Sequence, residues 1–138
     1  MGEYKLEQVD VIKKEFMLYK IREVEIEDIK LKIEDLKLGE KFNLISYEER
    51  VQSSKRCTNN DSIMNEIERL EFEKNKKIIA NKRVSNYLKV LDQVEAEVIK
   101  MILIDKKSKT YTVKTLDRSG RHIDRILERA LKKIADIC

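Results

Sequence analysis

Apolar residues recur every three or four positions along most of this chain, and no proline interrupts them. Proline breaks helices because it lacks a backbone N–H and clashes with the preceding turn. Charged and hydrophobic residues each make up 41% of the chain, a balance that is typical of long helices and coiled coils. The sequence therefore predicts an all-α protein with a long helical hairpin or coiled coil in its N-terminal part.

The first amphipathic segment covers residues 6–38, and its apolar stripe is interrupted at Glu23 and shifts register near Ile29. We expect a polar joint of about twenty residues at 39–60, because Gly39 can adopt the left-handed backbone of a helix stop. The Ser, Thr and Asn residues near its end compete for backbone hydrogen bonds. The stripe consists of Val9, Ile12, Phe16, Tyr19, Ile26, Ile29, Ile33 and Leu36.

A second charged helix is predicted to start near Asp61 or Ser62, either of which can cap it. Its inward positions are predicted at Ile63, Ile67, Leu70, Lys74, Lys77, Asn81, Val84, Leu88 and Leu91. The polar middle of this seam fits two arrangements: a parallel coiled-coil dimer in which Asn81 fixes the register, or a helix folded back on the first one. We favour the antiparallel hairpin, because its lysines can reach solvent whereas a dimer seam would bury them unpaired.

The last quarter of the chain carries an excess of positive charge. Residues 106–138 contain ten Lys or Arg against four Asp or Glu, which is +6 in a chain of net charge +4. A basic region at one end is typical of a protein that binds a polyanion, and nucleic acid is the first candidate. A solvated, lysine-rich helix end is the plainer interpretation of the same charges.

Three helices are predicted in this last part: a short core helix capped by Asp92, a second at 111–116, and a third at 120–137 that follows a tight turn. Ser119 is expected to cap the third helix. Apolar residues converge across the turn, as a helix-turn-helix requires. These residues are Val113, Leu116, Ile123 and Ile126.

The third helix carries basic residues near its beginning. If Ile123 and Ile126 face the core, Arg121, His122 and Arg125 lie away from it or along its edge, and Arg there can hydrogen-bond guanine in a major groove. We therefore predict that these three residues read bases. Neighbouring cations and the helix start are predicted to bind DNA phosphates. This second set comprises Lys106, Lys107, Lys109, Lys114, Arg118, Ser119 and Arg129.

The last fifty residues resemble region 4 of bacterial sigma factors, through LDQVEAEVIKMILID, the helix-turn-helix after it and the closing RILERALKKIADI. The whole chain is similar to small phage and prophage late-gene transcription regulators of the ArpU and RinA type. The resemblance implies that Ser119 opens a recognition helix in which Ile123 is buried and Arg121, His122 and Arg125 face DNA. This chain departs from the usual pattern at Thr112, Val113 and Asp117, where an apolar residue, Ala and Gly are common.

We expect a phage-related, sequence-specific DNA-binding transcription regulator. It would consist of a helix and joint (1–60), a connecting helix (61–91) and a sigma-like helix-turn-helix domain (92–138). The N-terminal helices would form a homodimer or contact RNA polymerase. Two alternatives remain: an adaptor or inhibitor that acts on RNA polymerase or a sigma factor, and a component of phage DNA packaging.

No enzyme, cofactor or metal site is expected. His122 has no Ser, Cys or carboxylate at an informative spacing, and a single His cannot complete a zinc site with Cys57 and Cys138. The N-terminus lacks the apolar core of a signal peptide, and no apolar run approaches the length of a membrane span. We therefore expect a cytoplasmic protein whose cysteines are reduced.

Overall fold

The computed structural model describes the backbone of residues 2–50 and 56–137, and the side chains of 7–39 and 61–137. The described residues are helical and contain no strand, which confirms the predicted all-α class. These described parts of the chain form six α-helices, and a π-helical segment at Lys100–Ile104 continues the fourth. The helices are α1 (Gly2–Met17), α2 (Tyr19–Arg50), α3 (Arg56–Lys89), α4 (Gln93–Ile99), α5 (Lys109–Leu116) and α6 (Gly120–Ile137).

The chain forms two compact units. The hairpin unit is Glu23–Ile79, and the larger unit combines Met1–Arg22 with Ala80–Cys138. Helix α1 therefore belongs with the C-terminal helices, an association that the predicted order of segments did not include. The interruption of the apolar stripe at Glu23 falls at the boundary between the two units.

The hairpin unit is held by aliphatic residues of α2 and α3. Ile29 and Ile33 pack against Ile67 and Leu70, and all four are buried within the chain. The predicted seam lysine Lys77 forms an ion pair with Glu25 of α2 and is only partly exposed. Because the contacts move back along α3 as they move forward along α2, the helices are antiparallel, as predicted for the hairpin.

The predicted polar joint at 39–60 is wrong in extent. Helix α2 continues through Gly39 to Arg50, and α3 begins at Arg56. Gly39 does not have a positive φ, and a glycine within a helix costs only about 1 kcal/mol relative to alanine, which the surrounding helix formers can offset. Asp61 and Ser62 therefore lie inside α3 and do not cap it.

The core of the larger unit joins the two ends of the chain. Phe16 of α1 is fully buried, and its ring meets that of Tyr87 edge-on, with the centroids 6.2 Å apart. The side-chain amide of Asn81 donates to the Tyr19 carbonyl at 3.1 Å, so this polar residue has a partner within its own chain. The buried members of the core are Ile12, Phe16, Val84, Ile99, Leu103, Ile104, Ala130, Leu131, Ile134 and Ala135.

Short polar segments position the helices that precede α6. Asp92 caps α4 by accepting from the backbone N–H of Glu95 at 2.8 Å. After the π-helical segment, Lys106 adopts a left-handed conformation with φ of 54°. Ser108 then caps α5 by accepting from the Tyr111 N–H at 3.1 Å. The helix therefore begins at Lys109, two residues before the predicted start at 111. In the described parts of the chain, no helix has the length and apolarity that a membrane crossing requires.

Candidate nucleic-acid interface

Helices α5 and α6 are joined by a three-residue turn. Asp117 ends α5 in the left-handed region, with φ of 52° and ψ of 50°, so Asp supplies here the conformation that Gly most often supplies. The Ser119 hydroxyl accepts from the His122 N–H at 3.2 Å, and the Ser119 carbonyl accepts from the Ile123 N–H at 3.0 Å. These contacts are those of the predicted N-cap, and they fix the start of α6.

A second core cluster holds α5 and α6 together. Val98, Ile123 and Ile126 are buried in it, and Val113 is one of the half-buried residues packed against them. Thr112 is fully buried, and its hydroxyl donates to the Ser108 carbonyl at 3.0 Å, so its polar group has a partner. With Asp117 in the turn, the helix-turn-helix thus accommodates all three positions at which the chain departs from the sigma-like pattern.

The exposed charged residues of α6 are predominantly basic: five are Lys or Arg, against Asp124, Glu128 and Asp136. At 100° per residue, Arg121, Arg125, Arg129 and Lys132 lie opposite the buried stripe of the helix, and all four are exposed. Arg121 and Arg125 make no hydrogen bond or ion pair with any residue that the structure describes. An arginine without a protein acceptor keeps its full set of donors available for an external one.

The predicted phosphate-binding lysines lie on α5 and the segment before it. Lys106, Lys107 and Lys114 are exposed, and Lys107 Nζ lies 5.3 Å from the ring centroid of Tyr111. Lys109 instead reaches across Gly120 to pair with Asp124 of α6 at 2.6 Å.

The absence of a side chain at Gly120 leaves room for this reach, because a Cβ there would lie 3.1 Å from Lys109 Cε. Both partners of the pair are more than half exposed, with values of 53% and 57%, and such pairs contribute little. Lys109 can therefore exchange Asp124 for a phosphate at small cost.

His122 is placed differently from the two arginines with which it was grouped. Its side chain is half-buried, and Nε2 lies 2.8 Å from Arg118 Nη1. It lines a pocket of about 280 Å³ at the edge of the helix-turn-helix. The other lining residues are Asp92, Val94, Glu95, Arg118, Ile126 and Arg129.

The carboxylate of Glu95 lies beneath this pocket, with 1% of its side chain exposed. Oε1 accepts from Lys133 Nζ at 2.7 Å and from the Asp92 N–H at 3.2 Å, which closes a capping box. Oε2 is buried without a hydrogen-bond donor among the described residues, and Arg129 Nε is 3.8 Å from it. Glu95 therefore anchors α4 to α6 through Oε1, while Oε2 is buried within ion-pair range of Arg129.

The backbone N–H of Glu95 holds the pKa of the Asp92 carboxyl below its ordinary value, and the charges of Lys133 and Arg129 act in the same direction. Asp92 thus keeps its negative charge at the mouth of the pocket. Sequence reasoning recognised the Asp92 cap but did not include Glu95 or Lys133 in the site. The Asp-x-x-Glu spacing at 92–95 was the available signal for Glu95.

Among the described side chains, no group of three or more His, Cys, Asp or Glu residues could hold a metal ion. Cys57 and Cys138 lie outside those side chains. Comparisons with protein-family models, with curated proteins and with solved structures find no match to this chain. The resemblance to sigma region 4 and to the phage regulators therefore stays a prediction, and a functional interpretation depends on the geometry of α5 and α6.

Proposed function

We propose that this protein is a sequence-specific DNA-binding transcription regulator in which α6 enters the major groove. The observation that carries the proposal is the exposed face of α6, where Arg121 and Arg125 follow directly after a tight, capped turn and have no partners in the described chain. A buried stripe beneath this face fixes the helix on α4 and α5. A rigid helix with exposed arginines near its N-terminal end has the shape and the donors that base-edge recognition requires.

Base reading and phosphate binding are divided among different residues in this proposal. Arg121 and Arg125 donate to base edges, guanine being the preferred partner of a bidentate arginine. The N-terminal N–H groups of α6 approach a phosphate, and Ser119 marks that position. Flanking cations bind further phosphates and release counterions from the duplex. These cations are Lys106, Lys107, Lys109, Lys114, Arg118 and Arg129.

A protein partner for the hairpin unit is the second part of the proposal. Val24, Leu31 and Leu38 recur at seven-residue intervals on the side of α2 away from its buried stripe, with 70%, 61% and 65% exposure. A line of exposed aliphatic residues favours contact with another protein. RNA polymerase and a second copy of this chain are the partners we propose. The same line favours the alternative of an adaptor or inhibitor that acts on RNA polymerase or a sigma factor.

Selection from a pool of random duplex DNA tests the proposal. The purified full chain should enrich a defined motif, and the Arg121→Ala/Arg125→Ala variant should lose that enrichment. Each bidentate contact contributes about 1–3 kcal/mol of discrimination between bases, so loss of both should flatten the preference at their positions.

The matched control is Lys37→Ala/Lys76→Ala, which removes the same number of positive charges from the hairpin unit. It should select the wild-type motif, because its charges lie outside the helix-turn-helix. If the wild-type chain enriches nothing at about 50 mM salt, where phosphate contacts are strong, the DNA-binding proposal is refuted. The adaptor alternative would then be preferred, and assemblies of ring size would favour the packaging alternative.

A further inference from the structure

We infer that His122 positions Arg118 for a contact with the DNA backbone and does not itself read a base. The inference rests on the proposed DNA-binding function and assigns a different task to one residue of that site. Its starting observation is the 2.8 Å contact between Arg118 Nη1 and His122 Nε2, which joins the turn to the first turn of α6.

The chemistry of the pair fixes the direction of this hydrogen bond. A guanidinium group only donates, so Nε2 of His122 must accept with its lone pair. The imidazole is then neutral and carries its proton on Nδ1. An Nε2 atom that accepts from Arg118 cannot at the same time donate to a base edge. The contact therefore removes from His122 the ring nitrogen that projects furthest from the backbone.

The surroundings explain why Arg118 needs such a partner. Asp92 and Glu95 line the same pocket, and Asp92 lies at its mouth. The buried Glu95 faces two cations of α6, Lys133 and Arg129. A freely rotating Arg118 would have the Asp92 carboxylate at the mouth of the pocket as a competing acceptor, and pairing with it would draw the guanidinium into the pocket. His122 holds one amino group of Arg118 at the edge, and the remaining donors stay available for a phosphate oxygen.

The contrast with Arg121 and Arg125 supports this division of tasks. Those two side chains are exposed on the face away from the buried stripe, whereas His122 is half-buried on the edge that faces α4. Arg118 belongs to the turn, beside the start of α6, where the DNA backbone passes when a recognition helix lies in the groove. His122 is thus a positioning residue, and Arg118 is the residue that touches DNA.

The salt dependence of binding to the selected duplex tests this role. The slope of log affinity against log salt is negative, and one lost phosphate contact reduces its magnitude by about 0.9. We expect that decrease in Arg118→Gln and in His122→Leu, with no further decrease in the double variant. His122→Gln should retain the wild-type slope, since its side-chain oxygen can accept from Arg118. The preferred bases should be the same in all four variants.

A base-reading His122 would behave differently, because His122→Leu would relax the preference at one position of the motif while Arg118→Gln would not. That outcome overturns the inference. The charge-matched control Lys76→Gln, in the hairpin unit, should change neither the slope nor the motif. Thermal unfolding of each variant separates a local effect from loss of the fold.

Nitrogen-15 NMR of the imidazole tests the contact without DNA. We expect the Nδ1–H tautomer in the free protein, and a shift toward a mixture of tautomers in Arg118→Gln. A dominant Nε2–H tautomer in the wild-type chain refutes the contact, whatever the result with DNA. A chain that shows the Nδ1–H tautomer but binds no duplex instead refutes the proposed function, and the assignment of Arg118 to a phosphate fails with it.

Discussion

The hairpin unit and the larger unit differ in the size of the apolar core that holds their helices together. In the hairpin unit, four aliphatic residues form the buried cluster, while Val24 and Phe72 are among the large apolar side chains that stay exposed. In the larger unit, α6 alone buries six residues and leaves a charged outer face. The larger unit also keeps exposed apolar side chains, among them Val11 and Ile21, but its own packing can hold α6 in place. The hairpin unit has a smaller buried cluster, and the exposed aliphatic line of α2 is left for a partner.

The largest difference between the units should appear when a buried side chain is truncated. Phe16→Ala removes a fully buried ring that joins α1 to the rest of the larger unit, and should reduce the free energy of unfolding by about 3–5 kcal/mol. Urea unfolding followed by NMR signals of residues in each unit measures this loss. The signals of α6 should lose protection together with those of α1.

The matched truncation in the hairpin unit is Leu70→Ala. Leu70 is 5% exposed in a cluster of four buried residues, so its loss should lie near the lower end of the 2–5 kcal/mol that leucine truncations cost. If Leu70→Ala reduces the free energy of unfolding as much as Phe16→Ala does, or more, the hairpin unit does not have the smaller core. Such a result would also weaken the argument that α6 is the better supported helix.

Asp117→Ala should destabilise the helix-turn-helix by about 1 kcal/mol. Asp117 has φ of 52°, a conformation that costs a residue with a Cβ about 1–2 kcal/mol and that Asp tolerates better than Ala. Asp117→Gly should have the opposite sign, because Gly adopts this conformation without strain. Chemical unfolding of both variants checks the prediction, and equal effects of Ala and Gly would show that the turn is not left-handed.

Gly39→Ala should stabilise the hairpin unit by about 0.5–1 kcal/mol. Gly39 lies within α2, and an added Cβ would meet no atom within 4 Å. Alanine loses less backbone entropy than glycine when a helix forms. Amide hydrogen exchange along α2 measures the change. A decrease in protection would mean that Gly39 ends a helix after all, as the sequence pattern first suggested.

Acid should act on each unit through a different carboxylate, with the smallest effects of this series. The pKa of Asp92 is lowered by the Glu95 N–H, so its contribution is complete above about 3.9, the ordinary value for Asp, and is lost as pH falls through the lowered pKa. The amide introduced by Asp92→Asn can still cap α4, but the variant should lack the loss of stability that protonation of Asp92 causes. The acid loss is measured as the change in the urea midpoint from about pH 2.5 to about pH 6, the range in which carboxylates titrate.

Glu66 is the counterpart of Asp92 in the hairpin unit. The hydrogen bond from Arg69 lowers its pKa, so its contribution likewise exists above the ordinary Glu value and disappears on acidification. Glu66→Gln should therefore flatten the acid loss of the hairpin signals alone. If either substitution changes the acid response of the other unit, the two units do not unfold separately.

The periodicity of apolar residues predicted which faces are buried. The inward positions from Val9 to Leu36 and from Ile63 to Leu91 are buried or half-buried, because helical spacing places them on one side whatever they pack against. The identity of the packing partner does not follow from spacing. Nothing in the local pattern of α1 indicates that Phe16 packs with helices more than sixty residues away.

Local signals were less reliable at helix ends than in helix interiors. Ser119 and Asp92 cap helices as expected, since each precedes an apolar repeat that starts at once. Gly39 does not end α2, because the helix-forming residues on either side of it outweigh the preference of one glycine. The role of His122 was also beyond local reasoning, because its half-buried position depends on α4, which packs beside α6 only in the folded chain.

The most direct test of the central claim is an NMR titration of the full chain with a duplex taken from the random pool. The account predicts that amide shifts and line broadening concentrate in the turn and the first half of α6, from Arg118 to Arg129, with smaller shifts at the phosphate-binding lysines from Lys106 to Lys114. Signals of the hairpin unit should stay in place. Shifts along α2 and α3 with none in α6, or no shifts at low salt, would contradict the claim that the exposed arginines of α6 form a DNA-reading surface.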